Sequence, residues 1–210
     1  MKSSLPLLSF FLISSFFHGE AAVRTVLDVD GNGVQSGVKY YVVPVNHTQG
    51  GGLDLLRRPP STPCYENVVA VRHPKRLANA ASFFPAVAPK NGVVQNGTDL
   101  NVEIFPSGAN ARNCSKSSSV WRIPGDPENI DTDIYVVSGG VKGNPSPATA
   151  VNWFMIVKSV NGYKFMFCPF SLCDCNPVCQ DVGIFVDKAG NRLLKVQSSL
   201  PPLEVNFVKA

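Results

Sequence analysis

The chain has 210 residues, 44% of them hydrophobic and 16% charged, with 19 lysines and arginines against 15 aspartates and glutamates for a net charge of +4. That length suffices for one domain with a real core, and the composition is that of an ordinary globular protein. So mild a positive charge argues against nucleic acid as a partner. Arg57-Arg58 and Lys75-Arg76 are isolated basic pairs that read as solvated loop residues, and no basic stripe interleaves with aromatics.

At the N-terminus, Lys2 precedes an apolar run from Leu5 to Phe17, broken only by Pro6, Ser9, Ser14 and Ser15 and followed by the small residues Gly19 and Ala21. Charge, short apolar run and small-residue site, in that order, predict a secretory signal peptide over residues 1–21 rather than a membrane span or a buried helix. Cleavage is expected after Ala21, with Ala22 as the alternative. Residues 22–210 read as a single domain, because no linker divides them and no later segment is apolar enough to span a bilayer. Short β-rich runs between Gly, Pro, Asn and Asp clusters then recur at residues 39–43, 100–105, 134–137, 153–157, 163–167, 184–186 and 203–207. Gly50-Gly51-Gly52 and Pro59-Pro60 read as exposed loops. Many short strands with regular turn signals, and no long helical periodicity, predict an all-β barrel or sandwich. An internal echo links residues 28–34 with residues 187–193, each reading as strand, Gly/Asn turn and second strand.

The chemistry-bearing motifs resolve by elimination. Asp28-x-Asp30-x-Asn32-Gly33 opens like a calcium loop, but the twelfth position, which needs a bidentate carboxylate, is Lys39. Cys168, Cys173, Cys175 and Cys179 include a one-residue spacing that suits no zinc knuckle, and export through an oxidising compartment favours bridges. With Cys64 and Cys114 they make six cysteines and three expected disulfides, whose pairing the spacing does not decide. Sequons stand at Asn46, Asn96 and Asn113 and fit the same route of export. Enzyme signatures fail in turn. His47 and His73 are the only histidines beyond the leader, there is no Gly-x-Ser-x-Gly elbow, and Asp131-Thr132-Asp133 lacks the glycine of an aspartic-protease triplet. No catalytic residue, metal or cofactor is expected.

Residues 26–34, followed after five residues by Tyr40-Tyr41-Val42, resemble the N-terminal signature of the plant Kunitz (soybean trypsin inhibitor) family. The resemblance continues in order through Gly50-Gly51-Gly52-Leu53, Cys64 with Val68-Val69, Thr98-Asp99-Leu100-Asn101 and Ser119-Val120-Trp121. Beyond these it runs through Gly139-Gly140-Val141-x-Gly143, Trp153-Phe154 and Tyr163-Lys164-Phe165-x-Phe167-Cys168-Pro169 to Asp181-Val182-Gly183-Ile184. The cysteine cluster from Cys168 to Cys179 most resembles the miraculin-like branch of that family.

The resemblance implies a β-trefoil, a six-stranded barrel capped by three hairpins. It implies the bridges Cys64–Cys114 and Cys168–Cys179, leaving Cys173–Cys175; by chain entropy, closing the long Cys64–Cys114 loop would contribute about 4 kcal/mol. It places a protease-binding loop at residues 84–93, with the scissile position at Lys90-Asn91, Pro89 holding the approach and Ser36 standing where family inhibitors carry a loop-bracing asparagine. An extended convex loop led by a long cation suits a specificity pocket with an aspartate at its base. The expected partner is therefore a trypsin-like protease, bound by a monomer that is secreted to the extracellular space or carried to the vacuole. Ser36 is short and Gly92 adds looseness, which favours as an alternative a non-inhibitory defence, storage or taste-modifying protein. A third expectation is inhibition of papain-like proteases through another loop, at Lys75-Arg76 or Arg57-Arg58. A lectin is disfavoured, since neither Trp121 nor Trp153 lies in a Gln-x-Trp repeat.

Overall fold

A computed structural model of the chain describes residues 25–57, 64, 67–107, 117–126, 134–172 and 179–210. The expected leader, Cys114, Cys173, Cys175, Asn113 and Arg58 lie outside the described residues. Eleven strands run through the described part: β1 (Tyr40–Pro44), β2 (Leu53–Leu56), β3 (Asn67–Ala70), β4 (Ala80–Pro85), β5 (Asp99–Phe105), β6 (Ile134–Tyr135), β7 (Phe154–Lys158), β8 (Tyr163–Phe167), β9 (Gln180–Val186), β10 (Arg192–Val196) and β11 (Val205–Lys209). Their pairing follows the order β11-β1-β4-β5-β7-β8, and β11 pairs again with β8 through Val205 and Tyr163. Six strands therefore close into a ring, which removes their open edges. β9, β10, β3 and β2 continue from β8, and β6 joins β10. The result is the expected β-trefoil, with a barrel and a cap of hairpins.

The barrel fills with aromatics because strand alternation turns every second side chain inward. Tyr163, Phe165 and Phe167 of β8 are all buried, while Lys164 and Met166 between them are partly exposed. Phe83 meets Phe207 edge-on at 5.2 Å between ring centroids, and Trp121 lies 5.0 Å from Phe165 and 5.5 Å from Phe154. Asn101, at 0% exposure, explains one polar position of the family signature: its amide donates to the Asn152 carbonyl at 2.9 Å and its oxygen accepts from the Gly143 N–H at 2.7 Å. It thus ties two loops to β5.

Several expectations shift. The run at 153–157 begins one residue later, because Trp153 closes the 3-10 turn Pro147–Asn152 and its indole N–H donates to the Thr149 hydroxyl. The run at 134–137 pairs as a strand only over Ile134–Tyr135. Its continuation divides, with the Val136 N–H on the Leu194 carbonyl and Val137 bridging both Asn67 and Arg122. The three glycines 50–52 are buried rather than exposed. The chain of residues 71–77 is laid directly over them: a Cβ on Gly52 would stand 1.8 Å from the Leu77 carbonyl oxygen, and one on Gly51 2.3 Å from those of His73 and Arg76. Gly51 and Gly52 donate their N–H groups to Val71 and Arg76.

The sequence echo corresponds to one turn built twice. The Asp28 N–H donates to the Asn32 carbonyl and the Asp187 N–H to the Asn191 carbonyl, while Gly31 and Gly190 take φ of 80° and 76°. In each, the leading aspartate accepts from two backbone N–H groups of its own turn. The Asp28 carboxylate is thus engaged in shaping the loop that resembled a calcium site.

Candidate inhibitory loop

Residues 86–98 connect β4 to β5 and carry the residues singled out above. Both flanks of this loop are pinned. On the near side, the β4–β5 ladder runs out to Pro85 opposite Leu100, and the Ala86 N–H extends it by donating to the Asp99 carbonyl at 2.8 Å. On the far side, residues 92–95 lie against the N-terminal arm. Ser36 N–H donates to the Gly92 carbonyl at 2.8 Å, Val94 N–H to Val34 at 2.8 Å, and Val26 N–H to Val94 at 3.0 Å. Val26, Val34 and Val94 are each at 0% exposure, so an apolar contact seals the same seam. Gly33 is needed there, because a Cβ would come within 2.7 Å of a Val93 methyl. Two tyrosine hydroxyls fix the arm in turn, Tyr163 accepting from the Leu27 N–H and Tyr40 from the Gln35 N–H.

Lys90 and Asn91 are exposed at the tip, and the Lys90 ammonium makes no ion pair with a carboxylate among the described residues. The tip is not extended, as the sequence led us to expect. The Gly92 N–H donates to the Pro89 carbonyl at 3.0 Å, so Pro89, Lys90, Asn91 and Gly92 form a closed turn. Proline's fixed φ before the tip and a φ of 71° at Gly92 after it let the chain fold back, and Asn91 Oδ1 accepts from the Val93 N–H. Ser36 sits beside the loop as expected. Its backbone contributes the brace to Gly92, whereas its hydroxyl donates to the Phe83 carbonyl at 3.3 Å in β4. The bracing by Val26 and Val34 was missed by the sequence reading; the signal for it was the apolar alternation within residues 26–34.

The other expected positions distribute elsewhere. Lys75 and Arg76 are exposed on the loop between β3 and β4, where Arg76 lies 3.7 Å from Asp54 and its carbonyl accepts from Gly52. That loop enters β4 at one end and the Lys90 loop leaves it at the other. Cys168 and Cys179 form a disulfide, as the resemblance implied, with Cα atoms 4.4 Å apart. Cys64 packs half-buried against the core. Asn46 is exposed and accepts from the Thr48 N–H, and Asn96 Oδ1 accepts from the Lys158 N–H.

Behind the loop is a buried carboxylate that the sequence reading did not single out. Asp99 is 4% exposed; one of its oxygens accepts from the Ser171 hydroxyl and the other, Oδ1, has no hydrogen-bond partner. Burial holds its carboxyl above the ordinary value of 3.8, against the pull of the Ser171 bond. The folded chain therefore binds this proton more tightly than the unfolded chain, and its contribution to stability is lost as pH rises from 3.8 through the folded value. Asp99→Asn is accordingly expected to unfold at a higher temperature than the parent at about pH 7, with the gap closing at about pH 3. Equal melting temperatures at both pH values would refute this account.

The chain thus closes a six-stranded trefoil ring and carries an exposed cation on a loop pinned at both flanks. Residues 26–209 match the Kunitz legume model, described as trypsin and protease inhibitor. The chain belongs to this Kunitz family. It is 37% identical to miraculin of Synsepalum dulcificum, covering 95% of this chain and 94% of that one. It is 31% identical to Kunitz trypsin inhibitor 5 of Arabidopsis thaliana, covering 97% and 95%. Its fold matches that of soybean trypsin inhibitor in complex with porcine pancreatic trypsin, at 24% identity and a TM-score of 0.68 over 89% of this chain and 99% of that chain.

Proposed function

We propose that this protein is a secreted inhibitor of trypsin-like serine proteases that offers Lys90 to the specificity pocket and the Lys90–Asn91 peptide to the catalytic site. The observation that carries this reading is the combination of an exposed lysine with flanks pinned on both sides. Pinned flanks have little conformational entropy left to lose on docking, which is how a short loop reaches high affinity. They also hold the two ends of a cleaved bond in place, so that the bond can re-form. The closed turn at the tip has a cost. Laying Lys90 into a cleft as an extended segment breaks the Gly92–Pro89 hydrogen bond, worth about 1 kcal/mol net, or roughly fivefold in affinity. That is small beside the binding energy of a buried ion pair at the pocket base.

The experiment is a titration of the purified mature chain against trypsin, with chymotrypsin, subtilisin and papain in parallel. Stoichiometric loss of trypsin activity is expected. Cleavage at Lys90–Asn91 with no inhibition would instead support a second reading, a non-inhibitory member on the same scaffold. That reading is favoured by the Ser36 hydroxyl, which holds Phe83 and leaves the tip to its own turn. Loss of papain activity alone would move the inhibitory surface to a different loop.

A further inference from the structure

A cleft of about 770 Å³ opens beneath the β4–β5 loop. Residues 85–89, Pro145, Pro147, Met155 and Leu172 line it. The surface is thus largely apolar, and its size lies in the range of sites that enclose a small organic molecule. Polar groups gather where Asp99 and Ser171 contribute to the lining. Met155 is the register partner of Asp99 across β5 and β7, so this part of the cleft is built on paired strands.

The electrostatics select the ligand. Among the described lining residues Asp99 is the one ionisable group; no lysine, arginine or histidine contributes. Its carboxylate has no cation partner there, and Oδ1 is buried without a donor. An unpaired buried carboxylate oxygen is costly, and a donor that meets it when the Asp99 side chain turns toward the cleft recovers that cost. An anionic head would meet the Asp99 charge with no cation among the described lining residues to offset it.

We propose that this cleft is a binding site for a small amphipathic amine, its aromatic or aliphatic body against the apolar lining of residues 85–89, Pro145 and Pro147 and its ammonium at the Asp99–Ser171 pair. The site is read by direct binding and does not depend on whether the chain inhibits a protease. The test is calorimetric titration of the mature chain with tryptamine and, separately, with indole-3-acetate, which carries the same ring on an anionic head. Saturable tryptamine binding at a single site is expected, with indole-3-acetate at least about tenfold weaker. Asp99→Asn, which keeps an acceptor for Ser171, should weaken tryptamine by about tenfold or more. Ala88→Trp, which fills the cleft from an exposed position on the loop, should abolish binding while far-UV circular dichroism stays that of the parent. Absence of saturable tryptamine binding, equal binding of the two probes, or tryptamine binding indifferent to both substitutions would overturn the proposal.

Discussion

Lys90→Ala is expected to weaken trypsin inhibition by about a thousandfold or more while leaving the melting temperature unchanged. Truncating an anchor at the centre of an interface costs about 4 kcal/mol when it leaves a buried charge of the partner unpaired, and 4 kcal/mol is close to three orders of magnitude in affinity. The fold should not register the change, because Lys90 is exposed and its ammonium makes no ion pair with a described carboxylate. The separation of the two effects is the informative part. Lys90→Arg should retain inhibition, since a guanidinium keeps the charge at similar reach. Lys90→Leu should lose trypsin and gain chymotrypsin, whose pocket is apolar. Inhibition constants for the three variants, set beside their thermal melts, decide the matter. Unchanged inhibition by Lys90→Ala would remove this loop from the interface.

The distribution of what was legible beforehand follows from the range of the interactions involved. Residues 163–167 were read as a strand and form β8 with the same bounds, because three aromatics alternate with two more exposed residues in five positions. The paired Asp/Gly/Asn turns were equally legible, since an aspartate accepting from N–H groups two and four residues ahead is a local event. β4 was not read. Its Ala80-Ala81-Ser82 start has poor strand propensity, and the strand exists through six register partners in β5. The glycine run was misread because its requirement comes from residues 71–77 crossing above it, which no local pattern displays.

The same division applies to the candidate site. Pro89, Lys90 and Asn91 were found from their place in an ordered family pattern, and they do occupy the tip of the loop. The conformation of that tip was not legible, because it depends on a left-handed Gly92 that sequence alone reads only as looseness. The Asp99–Ser171 contact joins positions 72 residues apart and brings Ser171, three residues after Cys168, against the base of the loop. A buried carboxylate without a cation is a property of the assembled barrel, whereas the residue itself appeared only as one letter of a strand signature.

The loop is held by the barrel, so the largest stability effect should come from the side chain that links them. Phe83 lies in β4 two residues before Pro85, at 0% exposure. Its ring packs on Phe207 at 5.2 Å, Phe165 at 6.2 Å and Tyr40 at 6.4 Å, while its carbonyl accepts from the Gly37 N–H and the Ser36 hydroxyl. Phe83→Ala is expected to cost about 3–5 kcal/mol, the transfer energy of the ring plus the cavity it leaves. Phe83→Leu, which refills much of that volume, should cost less than about 2 kcal/mol, and Phe170→Ala, at a position 68% exposed, should stay within about 0.5 kcal/mol of the parent. Guanidinium unfolding without reductant measures all three, as a shift in midpoint at constant slope. A domain with a total stability of about 5–15 kcal/mol loses roughly a fifth or more of it in the alanine variant. Because the ring packs the strand whose backbone carbonyl holds the Ser36–Gly37 segment, a β4 loosened by the cavity should also let trypsin cut the surviving folded fraction faster at Lys90–Asn91. If Phe83→Ala and Phe170→Ala unfolded at the same midpoint, the aromatic cluster would not be the element that supports the loop.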